Sequence, residues 1–157
     1  MPHSLRKRQQ GHWERAFKAN VSEIASAANW VESIAASAAL SDAQAFSMQV
    51  CLEELMSNIV QHGEGHCSSN SQWPSWPGND HLTITIAINA YADRITMTVE
   101  DNARPFDVSK AVGKKIDQPL DQLEPGGLGI HLIKSFSSAL QYQRTEHGNR
   151  VTVEFKG

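Results

Sequence analysis

The sequence predicts an α+β fold, a two-layer α/β sandwich whose mostly antiparallel sheet is covered on one face by helices. Three observations carry this reading. Two long segments repeat apolar residues at helical spacing, while others alternate apolar and polar residues with a period of two. The link at Ala92-Asp93 between two such segments is too short for a crossover, so these two strands must run antiparallel. Both strands of that pair have one clearly apolar face, as in a sheet that packs helices on a single side.

The elements follow in order. HWERAFKAN (12–20) alternates Trp13, Arg15 and Phe17 with other residues and reads as a first strand. Asn20 or Ser22 can cap the helix that follows, with Glu23 in its first turn. Ile24, Ala27, Ala28, Val31, Ile34, Ala35 and Ala38 give that helix a 3.6-residue stripe, and its many alanines imply close packing. Ser41-Asp42 caps a second helix from about Ala43 to His62, which Gly63 stops. Residues 63–80, dense in Gly, Ser, Asn and Pro, form a loop. Its Trp73 and Trp76 read either as a partner surface or as aromatics folded back on the domain.

Leu82, Ile84, Ile86 and Ile88 then alternate with polar or small residues, and after a turn at Ala92-Asp93 so do Ile95, Met97 and Val99. These two strands make an antiparallel hairpin. Residues 101–127 are irregular, with a short helix expected from Asp107 to Val112. LGIHLIKSFSS (128–138) reads as a helix, and 139–155 as two strands turned at His147-Gly148-Asn149. The expected order is β-α-α-β-β-α-β-β, with residues 1–11 a flexible tail and 12–157 a single domain.

Composition narrows the function classes. A net charge of −3 gives no general reason to bind nucleic acid or an anionic membrane, and Arg6-Lys7-Arg8 reads as a solvated tail. No apolar stretch approaches the ~20 residues of a membrane span, and no apolar region follows the basic N-terminus as in a secretory signal. Two cysteines, Cys51 and Cys67, suggest no disulfide framework. Cys51 reads as a small core residue, and a cytoplasmic setting is expected.

Three motifs can carry chemistry. In CLEELMSNIVQHG (51–63), Glu54, Asn58 and His62 stack along one line of a helix at the margin of its apolar stripe. A carboxylate there can orient or deprotonate a nucleophile, and an amide oxygen can bind Mg²⁺. In VEDNARPFD (99–107), Asp101 ends an apolar strand, where it can accept a hydrogen bond from an exocyclic amine. In EPGGLGIHLIKSF, Gly126, Gly127 and Gly129 stand at the mouth of a helix, where backbone N–H groups and the helix dipole favour phosphate. Each also has an ordinary reading, as a polar helix margin, an Asx turn or a flexible entry turn. His62, His66 and Cys67 hint at zinc but lack a fourth ligand at a sensible spacing.

Taken in order, the three motifs resemble the Bergerat ATP-binding fold of the GHKL superfamily. Similarity is greatest to its small stand-alone branch, the RsbW-like anti-sigma-factor serine kinases. EELMSNIVQHG resembles that branch's E-x-x-x-N-x-x-x-H-G box, EDNARPFD its D-x-G-x-P-F-D box and PGGLGIHLIK its helix entry, while GNRVTVEF resembles its final strand. The resemblance covers nearly the whole chain. It implies that Glu54 is the catalytic carboxylate and that Asn58 ligates the Mg²⁺ bridging the ATP phosphates. It puts Asp101 on the adenine amino group, with Ala103 and Phe106 beside the ring. Gly126, Gly127, Leu128, Gly129 and Ile130 are expected around the phosphates, and His62 near the nucleotide in a role left open. Residues of about 108–125, with Lys110, Lys114 and Lys115, would be the ATP lid. Ala103 stands where the box usually has glycine, which narrows the backbone's options.

The function implied is an ATP- and Mg²⁺-dependent serine-protein kinase acting as an anti-sigma factor in partner switching. Its substrate would be a STAS-type antagonist and its client a sigma factor, with a homodimer expected from the resemblance and no nucleic acid or membrane partner. The alternative is an ATP-binding module that switches partners without phosphoryl transfer. A sensor histidine kinase fits less well, because the chain is short for a dimerisation helix pair and His62 lies inside the nucleotide box.

Overall fold

Alternating strand sequences and amphipathic segments, the first of them alanine-rich, fold in the order expected. The structure, a computed structural model, describes residues 8–63, 82–109 and 127–157. Strand β1 spans Gln9–Lys18, helix α1 Val21–Ser37 and helix α2 Asp42–Gly63. A hairpin of β2 (Thr83–Tyr91) and β3 (Arg94–Asp101) follows, then α3 (Gly127–Phe136) and a second hairpin of β4 (Ala139–Arg144) and β5 (Asn149–Lys156). The five strands form one sheet in the order β1-β2-β3-β5-β4, and every neighbouring pair is antiparallel. β1 begins at Gln9 and not at His12, because Gln9 already pairs with Tyr91 ahead of an irregularity at Gly11.

Local chemistry explains the helix ends. Asn20 caps α1, its Oδ1 accepting from the Glu23 N–H at 3.0 Å and from the Ser22 hydroxyl at 2.7 Å. α1 closes in a Schellman motif, with Leu40 N–H donating to Ala35 O and Ala39 N–H to Ala36 O. Ala39 takes the left-handed position of that motif, at φ 51°, without being glycine. α2 opens on a reciprocal box: Ser41 Oγ accepts from Gln44 N–H at 3.1 Å, and Gln44 Oε1 accepts from Ser41 N–H at 3.2 Å.

α2 is the central element of the helical layer, packed against both α1 and α3 and lying over β3 and β5. Its buried stripe is Met48, Cys51, Leu52, Leu55, Met56 and Val60, so Cys51 is the core residue expected. From the sheet, Ile84, Ile86, Ile88, Met97, Val99 and Val153 meet it from below. Truncating one such fully buried side chain to alanine costs about 2–5 kcal/mol. Phe17 on β1 packs against Trp30 of α1 with ring centroids 5.8 Å apart, which fastens the edge strand to the helices.

Several expectations fall outside the described residues. These are the loop from 64 to 80 with Trp73 and Trp76, Gly126, the lid from 110 to 125 with its three lysines, and most of the short helix of 107–112. Residues 107–109 themselves form a turn, in which Asp107 Oδ1 accepts from the Ser109 N–H and hydroxyl. Among the described residues no helix is long and apolar enough to cross a membrane.

Candidate functional site

A pocket opens where the end of β3 and the start of β5 pass beneath α2. Its floor and walls include Leu55, Asn58 and Ile59 of α2, Val99 and Asp101 of β3, Ala103, Phe106 and Val108 of the following loop, and Asn149 and Val151 of β5. Its volume, open solvent at the mouth included, is about 460 Å³. Such a wall, apolar with a few convergent polar groups, is what a flat heteroaromatic ring needs.

Asp101 is the polar anchor. Its Oδ1 accepts from the Ala103 N–H at 2.9 Å and from Asn149 Nδ2 at 2.9 Å. These bonds fix the carboxylate plane and leave the second oxygen outside both of them. Burial raises the carboxyl's pKa above the usual range; the bonds from Asn149 and Ala103 and the charge of Arg144 oppose that rise without overcoming it.

Asn149 was not anticipated, and it organises the whole corner. Only 3 % exposed, it uses both ends of its amide. Nδ2 donates to Asp101 and, at 2.8 Å, to Arg104 O. Oδ1 accepts from the Phe106 N–H at 3.1 Å and from the Tyr142 hydroxyl at 2.6 Å. Arg144 braces the same loop by donating to Ala103 O at 2.8 Å. Gly148, next in the chain, lies so close to the end of β3 that a Cβ there would stand 1.6 Å from Asp101 O. Only glycine allows that approach.

Asn58 is the other buried polar side chain among the described residues, also 3 % exposed, and its Nδ2 has no hydrogen-bond partner among them. Buried polar atoms are normally paired, so a free one on a pocket wall fits a site built for a bound group. The amide can turn end for end without steric change, presenting an oxygen to a cation or a nitrogen to a phosphate. As placed, Asn58 offers a donor that suits a phosphate oxygen, and turned it offers an oxygen to a cation such as Mg²⁺.

The remaining expected residues divide. Glu54, half-buried, reaches across from α2 to α3, where its carboxylate lies against Gly129. Burial raises its pKa, and the neighbouring charge of Glu53 adds to the rise. Ile130 is buried on α3, and neither it, Glu54 nor Gly129 lines the pocket around Asp101. Gly127 and Leu128 begin α3, and His62 lies in the last turn of α2.

The site's parts thus come from a helix, a strand end and a second strand start, under a helix that closes the layer. The sequence profile of the histidine kinase-like ATPase domain matches residues 17–155. The chain belongs to this ATPase domain family. Membership implies nucleotide binding. Among curated relatives, the serine/threonine-protein kinase BtrW of Bordetella bronchiseptica is 29% identical over 124 residues, covering 79% of each chain. The serine-protein kinase RsbW of Bacillus cereus is 30% identical over 103 residues, which are 63% of this chain and 56% of that protein. A chain in the crystal structure of the SiaB–SiaC complex from Pseudomonas aeruginosa has the same fold, with a TM-score of 0.59 at 16% identity over 97% of this chain and 91% of its own. The α+β sandwich and the family read from the motifs are both borne out.

Proposed function

We propose that this member of the ATPase family is an ATP- and Mg²⁺-dependent serine-protein kinase and anti-sigma factor, phosphorylating a STAS-type antagonist in a partner-switching system. The observation that carries the reading is the pocket in which Asp101, pinned through Oδ1, lines the apolar slot beside Asn58, whose Nδ2 has no partner among the described residues. The kinase names of the BtrW and RsbW relatives support it.

In this reading the Asp101 carboxylate accepts from the adenine amino group, and Ala103 and Phe106 flank the ring. Asn58 would hold Mg²⁺, which would neutralise charge on the phosphates. Gly127, Leu128 and Gly129, at the head of α3, bring backbone to the phosphates. Glu54 orients the acceptor serine and takes its hydroxyl proton as the oxygen attacks the γ-phosphorus. The bond to the β-phosphate oxygen breaks, and ADP leaves. A carboxyl whose pKa is raised by burial is a stronger base than an exposed one. The sequestered client is a sigma factor, the setting cytoplasmic and the working unit a homodimer.

Labelled ATP incubated with the protein and its cognate antagonist tests this. Phosphate appears on an antagonist serine, and Glu54→Ala abolishes the transfer while nucleotide binding survives. Nucleotide binding with no transfer by the wild type supports the partner-switching module instead. Normal transfer by Glu54→Ala removes the role given to the carboxylate.

A further inference from the structure

Gly129 is the third residue of α3, buried, and its φ lies outside the left-handed range, so its backbone is one that any residue can adopt. Conformation does not require glycine here. Space does: a Cβ at this position would stand 2.1 Å from Glu54 Oε2, 3.0 Å from its Cδ and 3.5 Å from its Cγ. The obstruction involves no backbone, only the far end of a side chain with three rotatable bonds. A methyl group would therefore be relieved by Glu54 swinging away, with the two helices left in place.

We propose that Gly129 is a positioning residue whose missing side chain forms the seat of the Glu54 carboxylate. This role is distinct from contact with phosphate. It rests on the proposed kinase reading only for its consequence in catalysis, since the seat itself is a matter of geometry. The seat ties the carboxylate to the first turn of α3, so base and phosphate-binding backbone move as one unit. A displacement of about 1 Å at a reacting group is enough to slow a reaction a hundredfold.

The test compares wild type, G129A, E54D and the double variant E54D/G129A. Mant-ATP titration gives nucleotide affinity, ADP formation at saturating Mg²⁺-ATP and saturating cognate antagonist gives the rate, and a crystal structure of G129A gives the Glu54 rotamer. G129A is expected to lower the saturated rate about tenfold or more, with affinity within about threefold of wild type. E54D, shorter by one methylene, should slow the Gly129 protein yet speed the G129A protein, because the shortened side chain no longer meets the new methyl. The crystal structure should show Glu54 rotated out. Multiplicative effects of the two substitutions would overturn the proposal, as would an unmoved Glu54 or a G129A protein that loses affinity but keeps its saturated rate. Should wild type form no ADP, the kinase reading fails, and the crystal structure still decides the seat.

Discussion

Asn149 donates from Nδ2 to Oδ1 of Asp101 over 2.9 Å, joining residues 48 positions apart. The same amide serves Arg104 O, the Phe106 N–H and the Tyr142 hydroxyl, so its removal takes a hydrogen bond from four groups at once, of which Asp101 keeps the one from the Ala103 N–H. Leaving such groups unsatisfied costs about 1–3 kcal/mol apiece where water cannot replace the partner. Asn149→Ala is expected to lose about 2–4 kcal/mol of stability in urea unfolding, and to weaken nucleotide binding. A change under about 0.5 kcal/mol would show that the network is not structural.

Asp101 gives a pH signature. Its folded-state pKa is raised, chiefly by burial, so its contribution to stability is full below the ordinary carboxylate pKa and is lost as pH rises through the folded value. Asp101→Asn keeps an oxygen for the Ala103 and Asn149 donors and removes the titration. Relative to that variant, wild type should lose stability between acid and neutral pH, seen in urea melts across the range. A difference that stays flat with pH contradicts the shift. The variant also presents an amino group where the second oxygen stands, and its ATP affinity should fall by about tenfold or more.

The order of elements was legible because each carries its own period: Ile84, Ile86 and Ile88 alternate, and Met48, Leu52, Leu55 and Met56 recur by turns of helix. Asp101 and Asn58 were legible because they stand in local motifs. Asn149 was not, since its role arises from the register that sets it opposite Asp101 across β3 and β5. No spacing within one segment encodes that pairing. The Gly148-Asn149 step opening the last strand was visible only as a turn. Glu54 on Gly129 is hidden for the same reason, since two helices distant in sequence must first pack.

Ala39 offers a stabilising change. A non-glycine residue in the left-handed region carries a penalty of roughly 1–2 kcal/mol, part of which glycine returns through its freer unfolded chain. Ala39→Gly should therefore raise stability by about 0.5–1 kcal/mol, with an increase in the thermal midpoint and no change in nucleotide affinity. An unchanged or lower midpoint would mean that the turn relaxes at no cost.

Cys51 should be inert in the folded protein. It is fully buried, and burial, with the Glu54 charge adding, pushes its thiol up to about 12. At pH 8 only about one thiol in ten thousand would be ionised. Iodoacetamide should leave the Cys51 peptide unmodified in native buffer and label it fully in urea, as read by mass spectrometry. Rapid native labelling would show that α2 opens locally.

The register that sets Asp101 opposite Asn149 also dictates when the pocket can appear during folding. β2–β3 and β4–β5 are local hairpins, each closed by a turn of a few residues, whereas β1 must find β2 across both helices. Low sequence separation favours early closure of the hairpins. Asp101 and Asn149 then meet at the last rung of the β3–β5 ladder, where the two hairpins dock. Neither hairpin alone holds the pocket, and α2 adds Leu55, Asn58 and Ile59 to its wall, so competence to bind a ligand requires both hairpins joined beneath that helix.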